Sequence, residues 1–195
     1  MICLENRLVP LGITFLMATA LVMGGCAGFP QGWGFGGAGA KEAAPRFSDE
    51  QLIASLRELD VDAQGEDRGI VVRCPALSFD SETVRLSPTA RKTLRQVALL
   101  LNDPRAADRA IVVEGYTDSI GPSPYNLELS RKRAETVSRE LIFNMVQRQR
   151  ITVHGRGEAS PVAPNALADG RDNPDGRGKN RRVEIIIASQ QAPSR

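Results

Sequence analysis

Aromatic residues make up only 5% of this 195-residue chain, with one tryptophan and two tyrosines. So few rings leave no evident stacking platform for bases or sugars. A surplus of one charge is missing too: 25 Lys and Arg stand against 23 Asp and Glu, for a net charge of +2. The basic residues are scattered among acids, which argues against the massed basic face of a nucleic-acid binder. Histidine occurs once, at His154, and the cysteines Cys3, Cys26 and Cys74 are far apart. No His/Cys cluster therefore has metal-ligand spacing, and no cofactor is implied. No glycine-rich loop joins a strand to a helix in the manner of a phosphate cradle; Gly155-Arg156-Gly157 is too short. Internal repeats are absent as well. The length has room for one ordinary domain plus extras.

What is present begins with an apolar stretch over 8–23, interrupted by two threonines and preceded by Arg7. It falls short of the ~20 residues of a membrane span and suits a signal-peptide core. Val22-Met23-Gly24-Gly25-Cys26 then resembles a lipoprotein processing site, with Met23 where leucine is usual. Residues 1–25 are thus expected to be a signal peptide and Cys26 the acylated residue. Each buried methylene contributes about 0.8 kcal/mol, so the several chains of a lipoprotein cysteine would anchor it firmly in a bilayer. Ala27 follows Cys26, where an aspartate often favours inner-membrane retention, so the expectation is the outer membrane. Cys3 leaves with the signal and Cys26 is modified; Cys74 then stands alone, a small buried hydrophobe on a strand with no disulfide partner. Residues 26–45 are rich in glycine and read as a flexible tether.

The folded part is expected over 46–189, with its core over about 66–189 and a tail at 190–195. Ser48 and Gln51 form a capping-box pattern, Phe47 is placed to staple against Leu52, and Leu52, Leu56 and Leu59 recur at helical spacing. Segments 61–64 and 70–74 flank Gly65 to Gly69 as a hairpin. Ser87-Pro88 opens the next helix, whose apolar stripe is Leu94, Val97 and Leu101. A β-branched run (Ile111, Val112, Val113) forms a strand ending near Tyr116, and a loop with Gly121, Pro122 and Pro124 leads to a helix from about Asn126. Strands follow at 151–154 and 183–187, separated by a loop-like stretch over 156–182. The alternation argues for an α/β two-layer sandwich: a β-α-β-α-β-β mixed sheet with helices on one face.

Within the helix from Asn126, Leu127, Leu129, Ala134, Val137 and Leu141 share one arc of about 160°. Arg133 falls inside that arc, while Arg131 and Lys132 point away. An arginine on an apolar face needs an anionic partner, since unpaired burial costs several kcal/mol. Asp118, just past the strand, is a candidate, either as a structural ion pair or as half of a ligand site. Snorkelling of Arg133 to the rim is a further alternative.

These residues carry a family pattern. Thr117-Asp118, Gly121, Asn126, Leu129-Ser130 and Arg133-Ala134 resemble the OmpA-like peptidoglycan-binding domain. The likeness continues through Gly155-Arg156-Gly157-Glu158, Pro161-Val162-Ala163 with Asn165, and Asn180-Arg181-Arg182-Val183-Glu184-Ile185. It covers most of 66–189 and implies an OmpA C-terminal-like fold. It also implies non-covalent binding to the diaminopimelate of the peptidoglycan stem peptide. Asp118 matches the aspartate that pairs with the ligand ammonium. Arg133 matches the arginine that grips its carboxylate, where a planar fork outperforms lysine. Thr117 and Asn126 either hydrogen-bond the ligand or shape the loop and cap the helix. Leu129 floors the pocket or packs the core; Phe79 and Asp80 match a motif that borders the site, with Asp80 alternatively a turn residue. Arg182 is expected to approach the sugar–peptide chain, whereas Arg177, Lys179 and Arg181 read as a solvated basic face. Residues 171–178 look like an insertion against the common pattern.

The expected whole is an outer-membrane lipoprotein with its domain facing the periplasm, tethering membrane to wall. The alternative is an envelope protein-interaction module, Tol-Pal-like or secretion-system associated, with other envelope proteins as partners. A cell-wall hydrolase built on Ser130, His154 and Asp118 ranks below both, because no Gly-x-Ser-x-Gly elbow surrounds Ser130.

Overall fold

The computed structural model describes residues 45–59, 61–73 and 84–190. The signal segment, Cys26, the linker, Cys74, and the candidate site residues Phe79 and Asp80 lie outside the described residues. The first helix, α1 (Asp49–Arg57), starts as its sequence dictates. Ser48 Oγ accepts from the Gln51 amide at 3.2 Å, and Gln51 Oε1 accepts from the Ser48 amide at 3.0 Å. These bonds satisfy N-terminal amides that a helix cannot pair internally. Strands β1 (Asp62–Glu66) and β2 (Gly69–Arg73) form the hairpin, tighter than expected because it turns on Asp67-Arg68 alone. Gly69, at φ +118°, supplies the backbone conformation that this turn requires. Helix α2 (Pro88–Leu101) is capped by Ser87 and buries Leu94, Val97 and Leu101, the predicted stripe.

Strand β3 (Ile111–Gly115) leads to helix α3 (Ser123–Phe143), strand β4 (Ile151–Gly155), a short helix α4 (Pro174–Asn180) and strand β5 (Val183–Ile187). The sheet order is β1-β2-β5-β3-β4, with β3 and β4 parallel and every other pairing antiparallel. It is the expected mixed α/β sandwich. Its core lies between one sheet face (Ile70, Val72, Val113, Ile185 and their neighbours) and α1, α2 and α3. Because β5 inserts between β2 and β3, the chain must travel from the edge strand β4 back to the middle of the sheet. That journey is the long 156–182 connection, and it contains the helix α4 where the sequence reads as loop.

Helix α3 also departs from expectation in two ways. It starts at Ser123, with Pro124 in its first turn, where the fixed φ of proline costs nothing. Its buried stripe at the N-terminal end is Asn126, Ser130 and Arg133, while Leu127 is 52% exposed. The cause is a close approach. A Cβ on Gly115 would sit 2.0 Å from the Ser130 carbonyl oxygen, and one on Gly155 would sit 2.6 Å from that of Leu127. Gly115 and Gly155 are register partners on β3 and β4. The pair forms a bare floor onto which the α3 backbone descends.

Candidate functional site

Beyond Gly115 the chain leaves the sheet held from two sides. The Tyr116 amide donates to the Arg182 carbonyl at 2.9 Å, and the Thr117 amide to the Gly157 carbonyl at 2.8 Å. Between this exit and α3 lies a pocket of about 830 Å³. Thr117, Asp118, Asn126, Leu129 and Arg133 all line it, joined by Tyr125, Asp172, Arg177 and Arg181. Five sequence-predicted residues from two separate elements thus meet around one cavity.

Asp118 is 8% exposed. Its Oδ1 accepts from the Ile120 amide at 3.2 Å, an Asx turn that fixes the carboxylate against its own loop. Its Oδ2 accepts from Arg181 Nη1 at 2.8 Å and lies 3.7 Å from Arg177 Nε. Arg133 is fully buried, the largest such side chain among the described residues. Burial pushes its pKa down and Arg181 adds to the effect, while Asp118 and Tyr125 oppose it. Guanidinium nonetheless stays protonated in proteins, so the pocket wall carries a cation under electrostatic pressure.

Asn126 works as a brace. Its Nδ2 donates to Glu158 Oε2 at 2.7 Å and, more weakly, to the carbonyls of Gly121 and Asp118 at 3.4 and 3.5 Å. It therefore ties the Asp118 loop to the loop after β4. The Thr117 hydroxyl is buried and has no hydrogen-bond partner among the described residues. Leu129 forms part of the apolar wall.

Arg182 lies outside this pocket: its guanidinium carbon lies 3.8 Å from the Tyr116 ring centroid, its Nε donates to Glu184 at 2.9 Å, and it lines a separate depression with Asp62 and Arg73. One expectation is corrected. The Arg177–Arg181 stretch is only partly a solvated face. Lys179 is exposed, but Arg177 and Arg181 project into the pocket from α4 and its C-terminus. Arg177 also pairs with Asp172. Two asparagines order this stretch. Asn173 Oδ1 accepts from the Gly176 amide to cap α4. Asn180, fully buried, accepts from the Val162 and Ala163 amides at 2.9 and 3.1 Å and donates to the Ala163 carbonyl at 2.8 Å. No local periodicity could have placed Arg177 and Arg181 here, because their approach to Asp118 spans about 60 residues of chain.

The hydrolase constellation does not assemble around Ser130. Its hydroxyl donates to the Leu127 carbonyl at 2.7 Å and accepts from the Gly157 amide at 2.9 Å. This serine fastens helix to loop. His154 sits exposed on the edge strand β4, in a different depression from Asp118.

The model of the OmpA family matches residues 78–174. The probable lipoprotein YiaD of Escherichia coli is 34% identical over 72% of this chain and 61% of its own. The peptidoglycan-binding protein ArfA of Mycobacterium tuberculosis is 34% identical over 57% of this chain and 32% of its own. The chain thus spans less than two thirds of the length of either. The outer-membrane lipoprotein YfiB of Pseudomonas aeruginosa matches end to end, at 31% identity over 96% of this chain and 99% of its own. Among solved structures, the peptidoglycan-associated lipoprotein of Burkholderia pseudomallei is 30% identical with a TM-score of 0.50, over 56% of this chain and 86% of that one. The cell wall anchor of the T6SS from Pseudomonas aeruginosa is 28% identical with a TM-score of 0.55, over 71% and 95%. Fold, ordered motifs and an end-to-end relative agree: the chain belongs to the OmpA family.

Proposed function

We propose that this chain binds peptidoglycan without covalent chemistry, holding the zwitterionic end of a diaminopimelate side chain in the pocket beside α3. The observation that carries this reading is the pairing of an acid, Asp118, with a fully buried arginine, Arg133, in the lining of one cavity. The ammonium goes to the Asp118 carboxylate, which the Ile120 amide already orients. The ligand carboxylate goes to Arg133, where it relieves a cation disfavoured by burial. Half-buried Leu129 and the exposed Tyr125 ring at the rim shield both contacts from water and so strengthen them. With Cys26 acylated and the linker spanning the gap, the chain would tether the outer membrane to the wall from the periplasmic side. The names of ArfA and of the two solved relatives support the wall as partner. Those of YfiB and YiaD support the lipoprotein reading.

Titration calorimetry of a diaminopimelate stem peptide into the full chain in detergent tests the reading. Asp118→Asn and Arg133→Gln run alongside, with circular dichroism to check folding. Each folded variant should lose about 2 kcal/mol or more of binding free energy, since each strands one charge of a buried pair. Undiminished binding by both variants, or none by the parent, would overturn it.

A further inference from the structure

The described residues that line the pocket carry more positive charge than a zwitterion uses. Among the described residues lining it, Arg133, Arg177 and Arg181 stand against Asp118 and Asp172. An ammonium and a carboxylate entering together leave that excess unchanged. They also bring a third cation to Asp118, whose Oδ2 already lies 2.8 Å from Arg181 and 3.7 Å from Arg177. A further anion offsets the repulsion among like charges gathered around one carboxylate. Two groups in the lining have hydrogen-bonding capacity to offer it. Arg177 Nε and the Thr117 hydroxyl are both buried and without hydrogen-bond partners among the described residues. An Nε–H can only donate, so what satisfies it is an acceptor.

The position of Arg177 is built in. Asn173 caps α4, Asn180 fastens its end to the 162–165 loop, and Asp172 pairs with the Arg177 guanidinium from the same segment. A side chain braced in this way spends little rotamer entropy on a ligand. Gly176 keeps α4 tight against that loop, for a Cβ there would lie 2.0 Å from the Pro164 carbonyl oxygen. The segment that looked like an insertion thus carries a cation to the mouth of the Asp118–Arg133 cleft.

We propose that Arg177, assisted by Arg181, forms a second carboxylate subsite in this pocket. It takes the other diaminopimelate carboxylate, the one on the centre that continues the stem peptide, when that carboxylate is free. The subsite rests on the wall-binding reading above and makes it narrower. The favoured ligand is a stem ending at diaminopimelate, with one ammonium and two carboxylates. A stem in which that second carboxylate is an amide, by chemical amidation or by a further residue, binds more weakly.

Calorimetry on the full chain in detergent separates the two readings. One probe is the tripeptide L-Ala-γ-D-Glu-diaminopimelate with both diaminopimelate carboxylates free. The other is the same tripeptide amidated only at the carboxylate of the peptide-continuing centre. The parent protein should bind the free form about tenfold more tightly, the usual scale for one charge-assisted contact. In Arg177→Gln that preference should shrink to about twofold or less, and Arg177→Lys should restore part of it. Both probes binding the parent equally overturns the subsite while leaving the wall-binding reading intact. So does an unchanged preference in a folded Arg177→Gln. Failure of both probes to bind the parent overturns both readings. Because amidation alters the ligand alone, the first comparison holds even if Arg177→Gln fails to fold.

Discussion

The Thr117 hydroxyl shows how a single group separates folding from binding. It is buried in the pocket lining and makes no hydrogen bond among the described residues, so the folded protein gains nothing from its polarity. Thr117→Val should therefore leave the melting temperature unchanged or raise it. If the hydroxyl contacts the bound stem peptide, the same variant weakens binding by about 1 kcal/mol. Paired thermal melts and titrations read the two effects, and unaltered affinity would assign the hydroxyl to the wall alone. Asn126 beside it is the opposite case: its three hydrogen bonds brace the loop that carries Asp118. Both residues were legible as motif positions. Which of them braces and which leaves a group unsatisfied depends on Glu158, 32 residues further along the chain.

At the scale of elements, α3 and the β3–β4 pair act as one unit because Gly115 and Gly155 let them touch backbone to backbone. Gly115→Ala drives a Cβ into the Ser130 carbonyl, a main-chain atom that no rotamer change can move. It should cost about 3 kcal/mol, seen as a lowered urea midpoint. Affinity should fall as well, because Thr117 and Asp118 follow directly on that strand end. A midpoint within ~0.5 kcal/mol of the parent would mean that α3 can lift away without penalty. A second device fixes the α2–β3 connection: buried Arg150 donates to the carbonyls of Arg109, Leu101 and Ala106 at 2.9, 2.9 and 3.0 Å. The capping signals of α1 and α2 could be read locally because a cap is made within four residues. The exposure of Leu127 could not, since it follows from two glycines on strands that α3 meets only in the fold.

Across the whole molecule, the sheet has two unlike faces. One packs against the helices; the other carries Glu114 and Glu184, register partners on β3 and β5 and both almost fully buried. Arg68 bridges the two carboxylates at 2.9 Å each, Arg73 and Arg182 bind Glu184, and Arg156 binds Glu114. Burial opposes ionisation of Glu184, but Arg182, Arg68 and Arg73 outweigh it and hold its pKa below the usual 4.5. Burial opposes ionisation of Glu114 likewise, and Tyr116, Arg156 and Arg68 hold it low. Such groups favour the folded state fully above their unfolded values, and that contribution drains as pH falls through the depressed ones. Thermal melts against pH should therefore be flat from about pH 6 to 8 and fall steeply below about pH 4. Glu184→Gln should lose about 3 kcal/mol at neutral pH, by stranding its arginines, and show a shallower acid limb. An acid limb as steep as the parent's would place the acid-sensitive groups elsewhere.

Taken alone, the sequence determined the elements other than α4, their alternation into an α/β sandwich and the family, and it offered the two charges expected at the site. Periodicity, caps and ordered motifs are local quantities, written within a few residues or at fixed spacings along the chain. Tertiary structure decided what surrounds those charges. It brought Arg177 and Arg181 to Asp118, sent Arg182 away from the pocket to Tyr116 and Glu184, and put α4 into a stretch that reads as loop. The physical reason is the insertion of β5 between β2 and β3. That topology carries the last connection back across the molecule, and electrostatic contacts act through the short distances it creates rather than through separation in sequence.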